Sequence, residues 1–234
     1  MREVKDYLGN ELNKFVLANI IIVLLLSGQL DVLSDAKTIT VFGIRLANIG
    51  IVASPMYVYI FVLNYIYSPW LKSKLVFLWC NMPGCTIFSD IKNCITNDPR
   101  FTKKDVMKYY ADVYSAIECY DPCEEKDKIL KYENSSWYKI YRKYKEDAAV
   151  RDAMRGQLLC RDACVATVSM ILLLVIMSIL GYGWFFNCKS FLFLIFVYIL
   201  SNIAARLRAK RLVLTVIAVD IATIKNTSGM KLNE

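Results

Sequence analysis

The sequence of 234 residues contains no histidine. That absence removes the commonest general base, the His-paired nucleophiles and most zinc chemistry. Glycine is scarce, at nine residues, and none are arranged as a phosphate-cradling loop or a Gly-x-Ser-x-Gly nucleophile elbow. Apart from Asp31 near the end of the first, carboxylates are missing from the long apolar stretches, so a proton relay or acidic ion site within a bilayer lacks its groups. Acidic residues do gather at Glu124, Glu125 and Asp127, but Lys126 and Lys128 are interleaved with them, the pattern of a solvated charged turn. Cys80-x4-Cys85 and Cys119-x3-Cys123 lack the C-x2-C spacing of a zinc knuckle, and buried free thiols are the expectation. The chain is therefore expected to be neither an enzyme nor a holder of a metal or cofactor.

Charge is also sparse. Only 21% of residues are charged, against 56% hydrophobic, too little polar surface for a soluble domain of this size. The apolar residues gather toward the two ends, and residues 90–162 hold most of the charge. A crossing needs about 20 mostly apolar residues. Four stretches qualify: Leu12 to Leu33, Leu46 to Tyr67, Ala163 to Phe186, and a shorter one from Phe191 to Ala205 closed by Arg206. The expected fold is an all-α membrane protein with four transmembrane helices and a helical cytosolic module inserted between the second and third. The corresponding divisions are 1–67 (first helix pair), 68–162 (cytosolic module), 163–205 (second pair) and 206–234 (basic tail).

The first stretch is read as a retained helix, because Glu3, Asp6 and Glu11 offset Arg2, Lys5 and Lys14 and deny it the basic front of a signal peptide. Lys and Arg number three in residues 1–14, seventeen in 68–162 and six in 206–234. The short loops carry little beyond Lys37 and Lys189. Positive charge stays inside, so both termini and the middle are placed in the cytosol of a multi-pass protein. Seven of the eight cysteines fall on that reducing side, with Cys188 alone near the outer face.

Within the middle, Ser68-Pro69 breaks the second helix. Residues 71–80 read as an interfacial segment whose Lys72 and Lys74 reach headgroups. Met82-Pro83-Gly84 is a turn signal with a glycine where φ must be positive. Thr102-Lys103-Lys104-Asp105 resembles a capping box, starting a helix near 103 that runs through Val106, Tyr110, Val113, Ile117 and Tyr120 to Asp121-Pro122. A second helix is expected from Ser135, and residues 146–162 lead into the third crossing. Leu212 to Ile224 is apolar but too short to cross alone, and is expected to continue the helix and pack in the cytosol.

Three groups of residues are candidates for function. Gly43, Ala47, Gly50 and Ser54 make a seam of small side chains, serving packing within one subunit or an oligomer interface. Arg45 and Asn48 lie beside it. Arg45 either snorkels to the outer interface or lines a pore mouth with Asn48. Trp137, Tyr141 and Tyr144 form a helical stripe flanked by Arg142 and Lys143, which suits single-stranded nucleic acid or a nucleotide. An aromatic core stripe with a basic face toward anionic headgroups is the other reading.

Met82-Pro83-Gly84, Phe88-Ser89, Asp98-Pro99-Arg100-Phe101, Trp137-Tyr138-Lys139-Ile140-Tyr141 and Arg161-Asp162 carry a resemblance to bacterial defence-island membrane proteins. More narrowly, the chain is similar to the membrane effectors of Hailong-type anti-phage systems, over roughly residues 80–186. The resemblance implies a bacterial inner-membrane pore, a homo-oligomer expected to be a tetramer. Its ligand would be a nucleotide or oligonucleotide made by a partner nucleotidyltransferase, and its action depolarisation and abortive infection. It transfers no individual ligand-binding residue. The alternative is a non-conducting membrane receptor or scaffold recruiting a soluble partner.

Overall fold

A computed structural model describes residues 2–27, 39–78, 80–122, 124–181 and 187–230, and for residues 2–8, 39–46, 48, 49 and 228–230 the helical backbone alone. The chain is all helical, with no strand among the described residues. The helices are α1 (Arg2–Leu26), α2 (Ile39–Ile66), α3 (Pro69–Phe77), α4 (Ile87–Lys92), α5 (Lys103–Tyr109), α6 (Ala111–Glu118), α7 (Lys126–Tyr144), α8 (Ala148–Ile179) and α9 (Cys188–Met230), with a 3-10 turn at Pro83–Cys85. They fall into two compact units. The first comprises Met1–Leu78 and Leu158–Ala205, the second Trp79–Gln157 and Arg206–Glu234.

Among the described residues three helices are long and apolar enough to cross a membrane: Gly9–Leu26 of α1, α8, and Cys188–Thr227 of α9. A fourth span arises if Gly50–Ile66 and Pro69–Phe77, bent by 103° at their break, count as one. These helices are compatible with a multi-pass membrane protein. The predicted break at Ser68-Pro69 is present. Ser68 Oγ accepts the Leu71 N–H at 3.2 Å and Pro69 opens α3, where its missing N–H costs nothing.

The core of the first unit is built from Val16, Ile20, Val23 and Leu24 of α1, Met56 and Ile60 of α2, Ala166, Met170 and Leu174 of α8, and Leu194 of α9. The opposite faces are apolar too: Ile21, Leu25, Val62, Leu172 and Ile199 are exposed. Helices apolar all round suit a lipid surround. Carbonyls left open at helix ends are taken up by side chains. Asn187 donates to Leu26 O at 2.9 Å and Ser190 to Val23 O at 3.3 Å. Asn202 donates to Val76 O at 2.8 Å, and the Tyr198 hydroxyl to Leu75 O at 3.1 Å.

In the second unit, residues 212–221 of α9 are the central strut. Val213, Leu214, Ile217, Ala218 and Ile221 pack with Ile87, Phe88, Val106, Tyr110 and Tyr114. Leu212 and Val216 pack with Val150 and Ala153 of α8. A 13-residue apolar run is the length of a buried core helix, and α9 does continue past Arg206 and pack there. Phe88 is fully buried, with Tyr110 and Tyr114 edge-on at 5.4 and 6.1 Å.

The Thr102–Asp105 capping box forms and starts α5 at Lys103. Three local expectations need correction. The single helix expected over 103–120 is two, α5 and α6, joined at Tyr110. That residue leaves helical geometry and turns its hydroxyl onto buried Asp220 at 2.6 Å. The helix expected from Ser135 begins at Lys126, with Asp127 in its first turn, and holds Glu133 buried. Gly84 does not have the positive φ read into the turn; Gly181 is the glycine with positive φ among the described residues. Gly84 is needed for room, since a Cβ there would meet Trp137 and Asn134 at 3.1 Å.

Candidate functional site

In the first unit, α3 turns Lys72 inward. Its alternation with apolar residues predicts a headgroup-facing lysine, and Lys74 does remain exposed, 5.7 Å over the Trp70 ring. Lys72, by contrast, is only 8% exposed. Its ammonium donates to Asn64 Oδ1 at 2.8 Å and to Asp162 Oδ1 at 3.4 Å. Arg161 reaches the same carboxylate oxygen, with Nε and Nη2 both at 2.9 Å. An unpaired ammonium at that depth would carry a desolvation penalty of several kcal/mol. The bend after Asn64 and the Arg161-Asp162 step on α8 bring the compensating groups to it.

These groups line a pocket of about 690 Å³. Asn10, Asn13 and Asn64 add amides to its wall, and Leu12, Phe61 and Leu158 add apolar surface. Two cations against one carboxylate leave the lining with a net charge of +1. Among the described residues Arg161 Nη1 makes no hydrogen bond, and the Asn64 amide nitrogen is left over once its oxygen has accepted from Lys72. The pocket therefore carries one excess cation with donors left to a ligand.

The buried carboxylates of the second unit are filled. Glu133, 1% exposed, accepts the Phe88 and Ser89 N–H groups at 2.9 and 3.2 Å and the Ser89 hydroxyl. It thereby caps the start of α4. Burial pushes its carboxyl above the ordinary range despite those bonds, and burial together with the Glu133 charge pushes the Cys85 thiol and Tyr114 phenol up. Asp220 takes the Tyr110 hydroxyl at 2.6 Å and Lys143 Nζ at 3.2 Å. Asp98 is held below its usual range by the hydrogen bonds of Arg100, whose Nη1 also donates to Thr215 at 3.0 Å. No group of three or more potential metal ligands occurs among the described residues.

The sequence-predicted residues are distributed as follows. Trp137, Tyr141 and Tyr144 do share a stripe on α7, but they are partly buried and pack on Val150, Ala153, Leu212 and Val216. Trp137 and Tyr141 stack on each other at 5.5 Å, and the indole N–H points at Val213 O at 3.4 Å. The stripe is turned to the core rather than held open as a stacking platform. Arg142 is exposed, and Lys143 is exposed while paired with Asp220. On α2, Ala47, Gly50 and Ser54 are exposed; nothing lies within 4 Å of a Cβ at Gly50, and the Ser54 hydroxyl folds back onto Gly50 O at 2.7 Å. Packing within the subunit therefore does not use these three positions. The side chains of Gly43, Arg45 and Asn48 lie outside the described residues.

Sequence reasoning missed Lys72 as a buried group. Its signal was Asn64, a lone amide eight residues earlier across a helix break. Glu133 was missed because the helix holding it was started nine residues too late, at Ser135 instead of Lys126. No protein-family model, curated protein or solved structure matches the chain.

Proposed function

We propose that the chain is the subunit of a homo-oligomeric membrane pore, non-enzymatic, with α2 at the subunit seam. The observation that carries this is the small-residue face of α2. Ala47, Gly50 and Ser54 are bare within the protomer, on a helix whose other side is packed. With the Ser54 hydroxyl satisfied internally, that face offers a second copy a close, apolar approach of backbone. The resemblance to Hailong-type effectors supplies the rest of the reading. The assembly is a tetramer in a bacterial inner membrane with both termini in the cytosol, controlled by a nucleotide or oligonucleotide, and its conductance causes depolarisation and abortive infection. Since the aromatic stripe of α7 is core-facing, the ligand's phosphates are assigned to exposed cations of the second unit, such as Arg142, Arg208 and Arg211.

The test is Gly50→Leu. A bulky side chain at a close seam costs about 1–3 kcal/mol per contact, multiplied by the symmetry of the ring. Purified wild type is expected to run as an oligomer in detergent and to conduct in planar bilayers. The variant is expected to run smaller, with conductance lost in proportion. Oligomers of native size from Gly50→Leu place this face against lipid and overturn the seam. An intact wild-type assembly that never conducts, with or without oligonucleotide, replaces the pore with the receptor or scaffold reading.

A further inference from the structure

We propose that the pocket of the first unit is a binding site for the phosphodiester of an anionic membrane phospholipid. Its charges do not close on themselves. Lys72 and Arg161 converge on one oxygen of Asp162, so one unit of positive charge remains over a cavity of about 690 Å³. Among the described residues Arg161 Nη1 and the Asn64 amide nitrogen are donors left unused beside the excess charge, and Asn10 and Asn13 add amides that can donate or accept. A phosphodiester offers a single negative charge and acceptor oxygens, which match the excess cation and the unused Arg161 and Asn64 donors. A ligand rich in donors would leave the arginine and amides facing one another.

The walls select a lipid over a free anion. Leu12, Phe61, Tyr65 and Leu158 line the same cavity as the charges, and Phe61 and Tyr65 are exposed on the outer side of α2. A headgroup in the pocket would lay its glycerol and first acyl carbons along these rings. The polar residues also sit at one level of the candidate spans. Asn10 and Asn13 open the Gly9–Leu26 span, Asn64 closes Gly50–Ile66, and Arg161 and Asp162 precede the apolar run of α8 from Ala163. That is the level of headgroups, where basic pockets between helices take anionic lipids. The pocket also accounts for Lys72 being turned inward while Lys74, two residues on, is left exposed.

The experiment is native mass spectrometry of the full-length protein in detergent, titrated with phosphatidylglycerol or phosphatidylcholine. Wild type is expected to retain phosphatidylglycerol preferentially. Arg161→Gln removes the excess charge and is expected to cut retention about tenfold, with Arg161→Lys restoring part of it. Asp162→Asn keeps an oxygen for Lys72 and removes the negative charge, so it is expected to retain more phosphatidylglycerol than wild type. A folding defect lowers both variants together and does not produce opposite signs. Equal retention by wild type, Arg161→Gln and Asp162→Asn overturns the site. Phosphatidylcholine held as strongly as phosphatidylglycerol overturns the preference for an anionic lipid. Displacement of the lipid by millimolar inorganic phosphate reassigns the pocket to a free anion. Retention is read on the protein whatever its oligomeric size or conductance, so failure here and failure of the pore are separate results.

Discussion

The two units treat buried charge in opposite ways. In the second, Glu133 meets three donors and Asp220 meets a phenol and an ammonium, each carboxylate spanning helices far apart in sequence. In the first, Lys72, Arg161 and Asp162 share one oxygen and leave donors facing a cavity. A buried polar network with all its members matched rigidifies a core. One left with unmatched donors at a pocket is built for something that comes and goes. The buried carboxylates of the second unit are matched by protein donors, whereas the charged cluster of the first opens onto a cavity.

The largest test of that contrast is Glu133→Ala. It strands two backbone N–H groups and a hydroxyl in a closed interior, and is expected to destabilise the protein by about 3 kcal/mol or more. Thermal or denaturant unfolding in detergent, followed by tryptophan fluorescence, measures it. A loss under about 1 kcal/mol would mean that water reaches Glu133, and the contrast would break.

A smaller effect is expected from a pair of glycines. Gly84→Ala drives a Cβ to 3.1 Å from the Trp137 ring and the Asn134 oxygen, and is expected to cost about 1–3 kcal/mol. Gly50→Ala meets nothing in the protomer and gains up to about 1 kcal/mol of helix propensity. The same unfolding measurement applied to both separates a crowded core from a bare face. Equal losses would mean that the Gly50 face is closely packed, within one subunit or against a second copy.

The smallest effect is the dependence on pH. Asp98 and Asp105 have carboxyls held low by Arg100 and by Lys225, the latter to about 2. Their contribution is present above the unfolded value near 4 and is lost as pH falls through the folded value. Glu133 is raised by burial, so its contribution is present below its unfolded value and is lost as pH rises through the folded one. Stability should therefore climb on moderate acidification from neutral pH, then fall as the aspartates protonate. Melting midpoints from pH 3 to 7.5 trace both limbs. Glu133→Gln is expected to flatten the upper limb and leave the lower one; an unchanged upper limb assigns it to another group.

Part of the molecule was legible from local rules. Three of the four apolar runs, the Ser68-Pro69 break and the Thr102–Asp105 capping box need only neighbours within a few residues, and these appear where those rules put them. The run from Leu212 to Ile224 was legible as a packed helix because a mostly apolar stretch of 13 residues containing Asp220 is too short to span a bilayer. Which face of a helix meets which partner was not legible. The stripe of Trp137, Tyr141 and Tyr144 has the same periodicity whether it stacks on bases or on Leu212 and Val216. Lys72 and Lys74 look alike in the chain, yet one is buried against Asp162, 90 residues away, and the other is exposed. Composition and periodicity set helix type, helix length and affinity for a membrane, because those depend on residues a turn or two apart. The long-range pairings of Glu133, Asp220 and Lys72 came only with tertiary structure, because a charge's partner is chosen by which helices close around it.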